Sequence, residues 1–254
     1  MAWDESCRAP NPGEVPTLRA GEAPQACDRT NYGNVPPNAD LDPLALMRSV
    51  SPSVVRVDQL STLPSFLRWM LGDSQSWPNG SGFMVGRDGN DCLIATNNHV
   101  ASSLSSIAVR TNDNGIHPAT VAAADPANDL AILRVPSGDG LVCRPAPISG
   151  QQPNAGDRVA AVGHPNGSRY QFISPATVRT IGLPSDNGVP LGPPDNRTSV
   201  IVNGHTEHGN SGSALFNDRG EVVGVVFAGN HLTITTAIPT DPLRRLLATI
   251  PRRN

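Results

Sequence analysis

Along most of this chain the apolar residues come in short runs rather than in long stripes. The runs are Val54–Val57, Ser81–Val85, Cys92–Thr96, Ile107–Arg110, Thr120–Ala124, Leu130–Val135, Val159–Val162, Thr177–Ile181, Ser199–Val202, Ser213–Phe216, Val222–Phe227 and Thr233–Ala237. Each is rich in β-branched residues and is bounded by Gly, Pro, Asn or Asp, which predicts a strand. Strands this numerous and this evenly spaced imply an all-β sandwich or barrel. Three segments depart from the pattern. PLALMRSV (43–50) reads as a short helix, and LSTLPSFLRWML (60–71) as helical and more apolar than a loop. DPLRRLLATI (241–250) reads as a C-terminal helix with leucines at helical spacing, opened by Pro242 and capped by Thr240 or Asp241. Residues 1–47 form a Pro-rich N-terminal extension without apolar periodicity. No internal repeat is visible at the level of residues.

Composition narrows the function classes. A chain of 254 residues buries roughly 70–75% of its unfolded surface, enough for a substantial core. The 24 glycines and 25 prolines suit short strands with many turns and argue against a helix bundle. Every basic residue is arginine, the net charge is −3, and the arginines are scattered. Nucleic-acid binding therefore has no electrostatic footprint. No apolar run approaches the ~18–20 residues of a membrane span. The start, MAWDESCRAP, lacks the charged-then-apolar pattern of a signal peptide, so the chain reads as cytoplasmic or as a mature form with an added Met1. Cys7, Cys27, Cys92 and Cys143 contain no CxxC pair. They read either as two disulfides, Cys7–Cys27 and Cys92–Cys143, or as four thiols. The disulfide reading favours a secreted or periplasmic location.

A serine hydroxyl becomes a useful nucleophile only when a base takes its proton and a third group orients that base. Gly209-Asn210-Ser211-Gly212 supplies a constrained turn in which the Gly209 and Ser211 N–H groups could form an oxyanion hole. His99 closes the run CLIATNNHV at a strand-to-turn boundary, and Asp129 precedes the apolar strand LAILRV. Asp125 is the rival acid. His205-Thr206-Glu207-His208 has some metal-ligand character but reads better as the lining of a pocket. His164 and His117 read as surface or turn residues, and His231 lies close to the pocket wall.

The runs SGFMVGRDGNDCLIATNNHV, DPANDLAILRV, AVGHPNG, GNSGSAL, GEVVGVVFAG and TTAIPT together resemble the trypsin-like serine proteases, most closely the bacterial HtrA/Deg protease domain. The likeness covers roughly residues 48–240. It implies two antiparallel six-stranded β-barrels of chymotrypsin-like type, at 48–145 and 146–240, followed by the C-terminal helix. It also implies a serine endopeptidase acting on polypeptides without cofactor or metal. His99 matches the general base, Asp129 its orienting acid, Ser211 the nucleophile and Gly209 the second oxyanion donor. Phe227, Ala228 and Gly229 match the strand that pairs with the substrate backbone, and His205 and Thr206 match the floor of the specificity pocket.

The departures qualify that picture. Asn210 stands where digestive trypsins carry the aspartate that pairs with a new N-terminus, so that form of zymogen activation is not expected. HtrA enzymes carry a PDZ domain after the protease domain, whereas only Asp241–Asn254 follow TTAIPT. The expectation is a stand-alone protease domain or a fragment. GNSGS and Thr206 are also reminiscent of V8-type glutamyl endopeptidases, but Val226 replaces their specificity histidine. The 60–71 segment resembles the long HtrA loop after the first strand. It reads either as a flap or homo-oligomer contact, or as a helix packed on its own barrel. A catalytically silent binding module on the same fold is the competing function.

Overall fold

The computed structural model describes residues 42–60, 79–113, 115–136, 138, 140–187, 189, 197–230 and 233–251. The chain divides into residues 1–35 and 36–254, and every described residue lies in the second unit. The N-terminal extension up to residue 41, the Cys7–Cys27 pair, residues 61–71 and His231 lie outside the described residues.

The apolar runs form twelve strands: β1 (Val54–Gln59), β2 (Asn79–Asp88), β3 (Asp91–Thr96), β4 (Ile107–Arg110), β5 (Ile116–Asp125), β6 (Leu130–Val135), β7 (Arg158–Gly163), β8 (Phe172–Gly182), β9 (Ser199–Asn203), β10 (Ala214–Asn217), β11 (Val222–Gly229) and β12 (Ile234–Pro239). They close into two antiparallel barrels, ordered β1-β2-β3-β6-β5-β4 and β7-β8-β9-β12-β11-β10. The two orders are the same, so the fold repeats although the sequence does not.

β3, β6 and β7 read as near-continuous apolar runs because both of their faces are buried. In β6, Ala131, Leu133 and Val135 fill the first barrel with Val55, Val57, Ile94 and Val109. The alternate residues Leu130 and Ile132 face a second cluster, which also holds Phe83, Phe216, Val225 and Phe227. β7 divides in the same way, with Val159 and Ala161 inside the second barrel and Ala160 and Val162 in the shared cluster. The shared cluster joins the two barrels, and its two central rings, Phe83 and Phe216, are fully buried. Period-2 alternation thus serves two cores at once.

Among the described residues three α-helices border the barrels: α1 (Pro43–Val50), α2 (Asn98–Ser102) and α3 (Thr240–Ala248). The Asp42 carboxylate caps α1 by accepting from Leu44 and Ala45 N–H at 2.9 and 3.1 Å, and the helix buries Leu46 and Val50 in the shared cluster. The C-terminal helix begins earlier than its sequence suggests. Thr240 is already its first residue and Pro239 precedes it with no side-chain cap. The chain passes from β12 into α3 with no polar linker. Pro242 falls in the first turn, where a missing N–H costs nothing, and Leu243, Leu246 and Ile250 pack into the shared core.

Cys92 and Cys143 form a disulfide across 51 residues, with their Cα atoms 5.5 Å apart. By chain entropy a loop of that length contributes roughly 3–4 kcal/mol through the unfolded state. Arg56, Arg110 and Asp58 tie β1 to β4. The Asp58 carboxylate accepts from both guanidinium groups at 2.7 Å, while Arg56 also donates to Gly167 O at 2.8 Å in the second barrel.

Candidate active site

His99 sits on α2, a single helical turn that begins two residues after β3 ends at Thr96. The turn is held from below by Asp129. That residue has φ 54°, in the left-handed region that aspartate tolerates better than most side chains. This backbone bend lets Asp129 engage three successive residues. Its carbonyl accepts from Asn97 Nδ2 at 3.0 Å and from Asn98 N–H at 3.1 Å. Its carboxylate accepts from His99 N–H at 2.8 Å and meets His99 Nδ1 at 2.7 Å. A carboxylate in that position requires the proton on Nδ1, which leaves the Nε2 lone pair free. The His99 side chain is 50% exposed and that of Asp129 13%, so the ring reaches the surface while the acid stays largely covered. Asp125 does something else: it closes the turn by accepting from Asn128 N–H at 3.1 Å and Asn128 Nδ2 at 2.6 Å.

The serine turn lies across the start of β2 from this helix. A Cβ added to Gly80 would be 2.7 Å from Val100 Cγ2 and 2.9 Å from Ser211 O, so Gly80 fills the space between the residue after His99 and the candidate nucleophile. Ser81 N–H donates to Ser211 O at 2.8 Å. Gly209 and Gly212 have φ 87° and 85°, a conformation open to glycine at no steric cost. Space requires glycine too, since a Cβ on Gly212 would lie 2.1 Å from Ser81 O.

The peptide planes of the turn are fixed by their carbonyls. His208 O accepts from Asn166 N–H at 2.5 Å, and Asn210 O from Ser213 N–H at 2.9 Å. Across a trans peptide the N–H points opposite to the C=O, so Gly209 and Ser211 N–H are directed away from those two partners. Among the described residues neither donates to any acceptor. The GHPNG loop that supplies Asn166 is itself bent, with Asn166 at φ 52°.

The candidate pocket residues are brought together in part. Thr206 is buried, its hydroxyl 2.9 Å from that of Thr235, and a Cβ on Gly229 would be 3.3 Å from Thr206 Oγ1. His205 Nε2 instead meets Glu207 Oε1 at 2.8 Å. β11 carries Phe227, Ala228 and Gly229 at its end. Its pairing with β12 steps from Val226↔Ala237 to Ala228↔Thr236, so Phe227 is skipped by the ladder. The Phe227 ring is buried and Arg197 stacks over it at 4.6 Å.

Two histidines read as surface or turn residues are buried, His164 at the head of the Pro165–Gly167 turn. His117 and His164 are 6% and 2% exposed, not on the surface. His164 lies behind the serine turn. Its Nδ1 donates to Ser168 O at 2.9 Å, and Nε2 is buried without a hydrogen-bond partner among the described residues. Burial pushes its pKa down from 6.5 to about 4; the Ser168 carbonyl opposes the shift and the Arg56 charge adds to it. Folding therefore favours the neutral ring. Below about pH 6.5 the unfolded chain binds the extra proton first, so stability falls as pH drops and levels off once the folded ring is also protonated, below about pH 4. The full loss is ~3 kcal/mol. Urea midpoints measured from pH 7 to pH 4 should fall more steeply in the wild type than in His164→Asn, while the buried carboxylates titrate equally in both. Parallel curves would contradict the assignment.

Ser81 and Asn97 carry no chemical role in the sequence reading, and His164 and Asn166 figure there within the AVGHPNG run without one. The available signal was the small polar residue between two glycines in NGSGF and the Asn-Asn pair before His99.

Two six-stranded barrels of one topology, with a His–Asp pair from the first and a GNSG turn from the second, define the chymotrypsin-like fold of serine peptidases. The trypsin-like peptidase domain family matches residues 80–225, and the chain belongs to that family. It is 34% identical over 192 residues to the probable periplasmic serine endoprotease DegP-like of Hahella chejuensis, covering 70% of this chain and 38% of that protein. It is 31% identical over 238 residues to the mitochondrial serine protease HTRA2 of Bos taurus, covering 92% of this chain and 49% of that one. The chain thus spans less than half the length of either relative. In structure it resembles the active form of the Rv3671c protease of M. tuberculosis, with TM-score 0.66 and 24% identity over 88% of this chain and 94% of that chain. That likeness concerns the fold. No helix among the described residues is long and apolar enough to cross a membrane.

Proposed function

We propose that the chain is a serine endopeptidase in which Ser211, His99 and Asp129 form a catalytic triad. The observation that carries this reading is the double grip of the Asp129 carboxylate on His99 N–H and Nδ1. It fixes both the place of the ring and its tautomer, and a histidine held so presents a free Nε2 to a serine hydroxyl. In this mechanism Ser211 Oγ attacks the substrate carbonyl carbon while its proton passes to His99 Nε2. The Gly209 and Ser211 N–H groups receive the developing oxyanion, each donor being worth about 3–4 kcal/mol to the transition state. Collapse breaks the C–N bond, and His99 returns the proton to the leaving amine. Water then attacks the acyl-enzyme with the same histidine as base. The substrate is a polypeptide whose main chain adds to β11 beside Phe227, Ala228 and Gly229, the skipped position Phe227 having no partner in β12. His205 and Thr206 contribute to the pocket for the residue before the cleaved bond.

A location outside the cytoplasm fits the Cys92–Cys143 disulfide, since such bonds persist in oxidising compartments. It also fits the DegP-like relatives, which are named periplasmic.

A fluorophosphonate probe tests the proposal. Wild-type protein should be labelled covalently, and Ser211→Ala should not. A well-folded wild type that resists labelling and cleaves no member of a peptide library would support the silent binding module instead.

A further inference from the structure

Ser81, a residue outside the triad, occupies the junction of the two halves of the site. It is fully buried at the start of β2 and makes four hydrogen bonds, two to the serine turn and one each to β3 and to the loop after β7. Its N–H donates to Ser211 O at 2.8 Å. Its C=O accepts from Thr96 Oγ1 at 2.7 Å, three residues before His99. His164 N–H donates to its Oγ at 2.8 Å, and its Oγ in turn lies 2.8 Å from Gly209 O. A hydroxyl carries one proton. With its oxygen already accepting from His164, Ser81 must spend that proton on Gly209 O, so the direction of the bond is settled.

Gly209 is the residue on which this bond matters. It carries a candidate oxyanion N–H and has no side chain to restrain its torsions. Its φ of 87° lies in a region from which glycine can move freely. The peptide before it is tethered through His208 O to Asn166 N–H, and the peptide after it through Gly209 O to Ser81. The peptide after it is also held by Asn210 N–H donating to Glu207 O at 3.1 Å, and of these three tethers only the one to Ser81 depends on a side chain.

We infer that Ser81 is a positioning residue of the peptidase reaction: through Gly209 O it holds the Gly209 N–H in the orientation that receives the oxyanion. This rests on the proposed triad mechanism, and it concerns a side chain that touches neither substrate nor reacting atoms. The prediction is selective. Losing the Ser81 hydroxyl should weaken binding of the tetrahedral intermediate and leave binding of the uncleaved peptide unchanged, because an oxyanion exists only in the former.

The test uses the full chain and a fluorogenic peptide that the wild type cleaves, with rates expressed per site titrated by fluorophosphonate. Ser81→Ala should lower kcat about 10- to 100-fold, less than direct removal of an oxyanion donor, with KM within about twofold. A peptide aldehyde of the same sequence, which forms a tetrahedral adduct, should lose affinity by a similar factor. Affinity for the intact peptide, measured in a Ser211→Ala background, should not change on adding Ser81→Ala. Ser81→Cys, nearly isosteric but a weak donor, should show the same split if the alanine variant does not fold. Wild-type kcat in a folded Ser81 variant overturns the inference and leaves the triad standing. So does a loss of affinity for the intact peptide equal to the loss for the aldehyde. Failure of wild-type protein to label or cleave overturns the triad reading itself.

Discussion

Ser211→Ala is expected to lower kcat by about a million-fold, to the residual rate that binding and an oxyanion hole sustain without a nucleophile. The size of the effect follows from the division of labour in the site. His99 can accept a proton only from a hydroxyl placed to give one. The fold should be untouched, because every contact that seats residue 211 runs through the backbone. Ser81 N–H donates to its carbonyl, and the flanking glycines set the torsions of the turn. The variant should therefore melt with the wild type and bind the intact peptide with unchanged affinity. Single-turnover assays on a fluorogenic peptide and thermal melts of both proteins give the comparison. Residual activity above about a thousandth of wild type would mean that another group attacks the carbonyl, since loss of a triad nucleophile costs far more than that.

Strands such as β3, β6 and β7 were legible because both of their faces pack on a core. A run such as LAILRV has no polar face to obscure it, and its β-branched residues and bounding turns mark its ends. The closure of those strands into barrels was not legible in the local pattern. It depends on pairings such as β1 with β4 and β10 with β7, which join residues far apart in the chain. The likeness to a known family supplied it. Strand ends were legible less well: β8 runs from Phe172 to Gly182, beyond both ends of the Thr177–Ile181 run, because backbone pairing with β7 and β9 carries it further.

The site divides along the same line. His99, Asp129 and Ser211 stand in runs with a chemical reason to be where they are. The residues that hold them do not. Ser81 looks like any small strand residue until its four partners are known. His164 looks exposed in GHPNG, because burial of a histidine is decided by what packs over it and not by its neighbours in sequence.

The orienting role of Asp129 makes a demand that an amide cannot meet. Its carboxylate offers two acceptors, one to His99 N–H and one to Nδ1–H. An asparagine there could keep the same backbone at φ 54°, since asparagine also tolerates that region. It would offer one oxygen and one NH₂ group. With the oxygen on His99 N–H, the amide donors face Nδ1. The ring must then carry its proton on Nε2, where it can no longer take one from Ser211. Asp129→Asn is therefore expected to lower kcat by about 10⁴-fold at neutral pH while KM stays close to wild type. Asp125→Asn is the matched control, because Asp125 engages only Asn128 in the turn. Its kcat should remain within about tenfold of wild type, the range of a positional disturbance rather than a lost tautomer. Steady-state kinetics on the two purified variants separate the roles. Equal losses at both positions, or a larger loss at Asp125, would remove Asp129 from the triad.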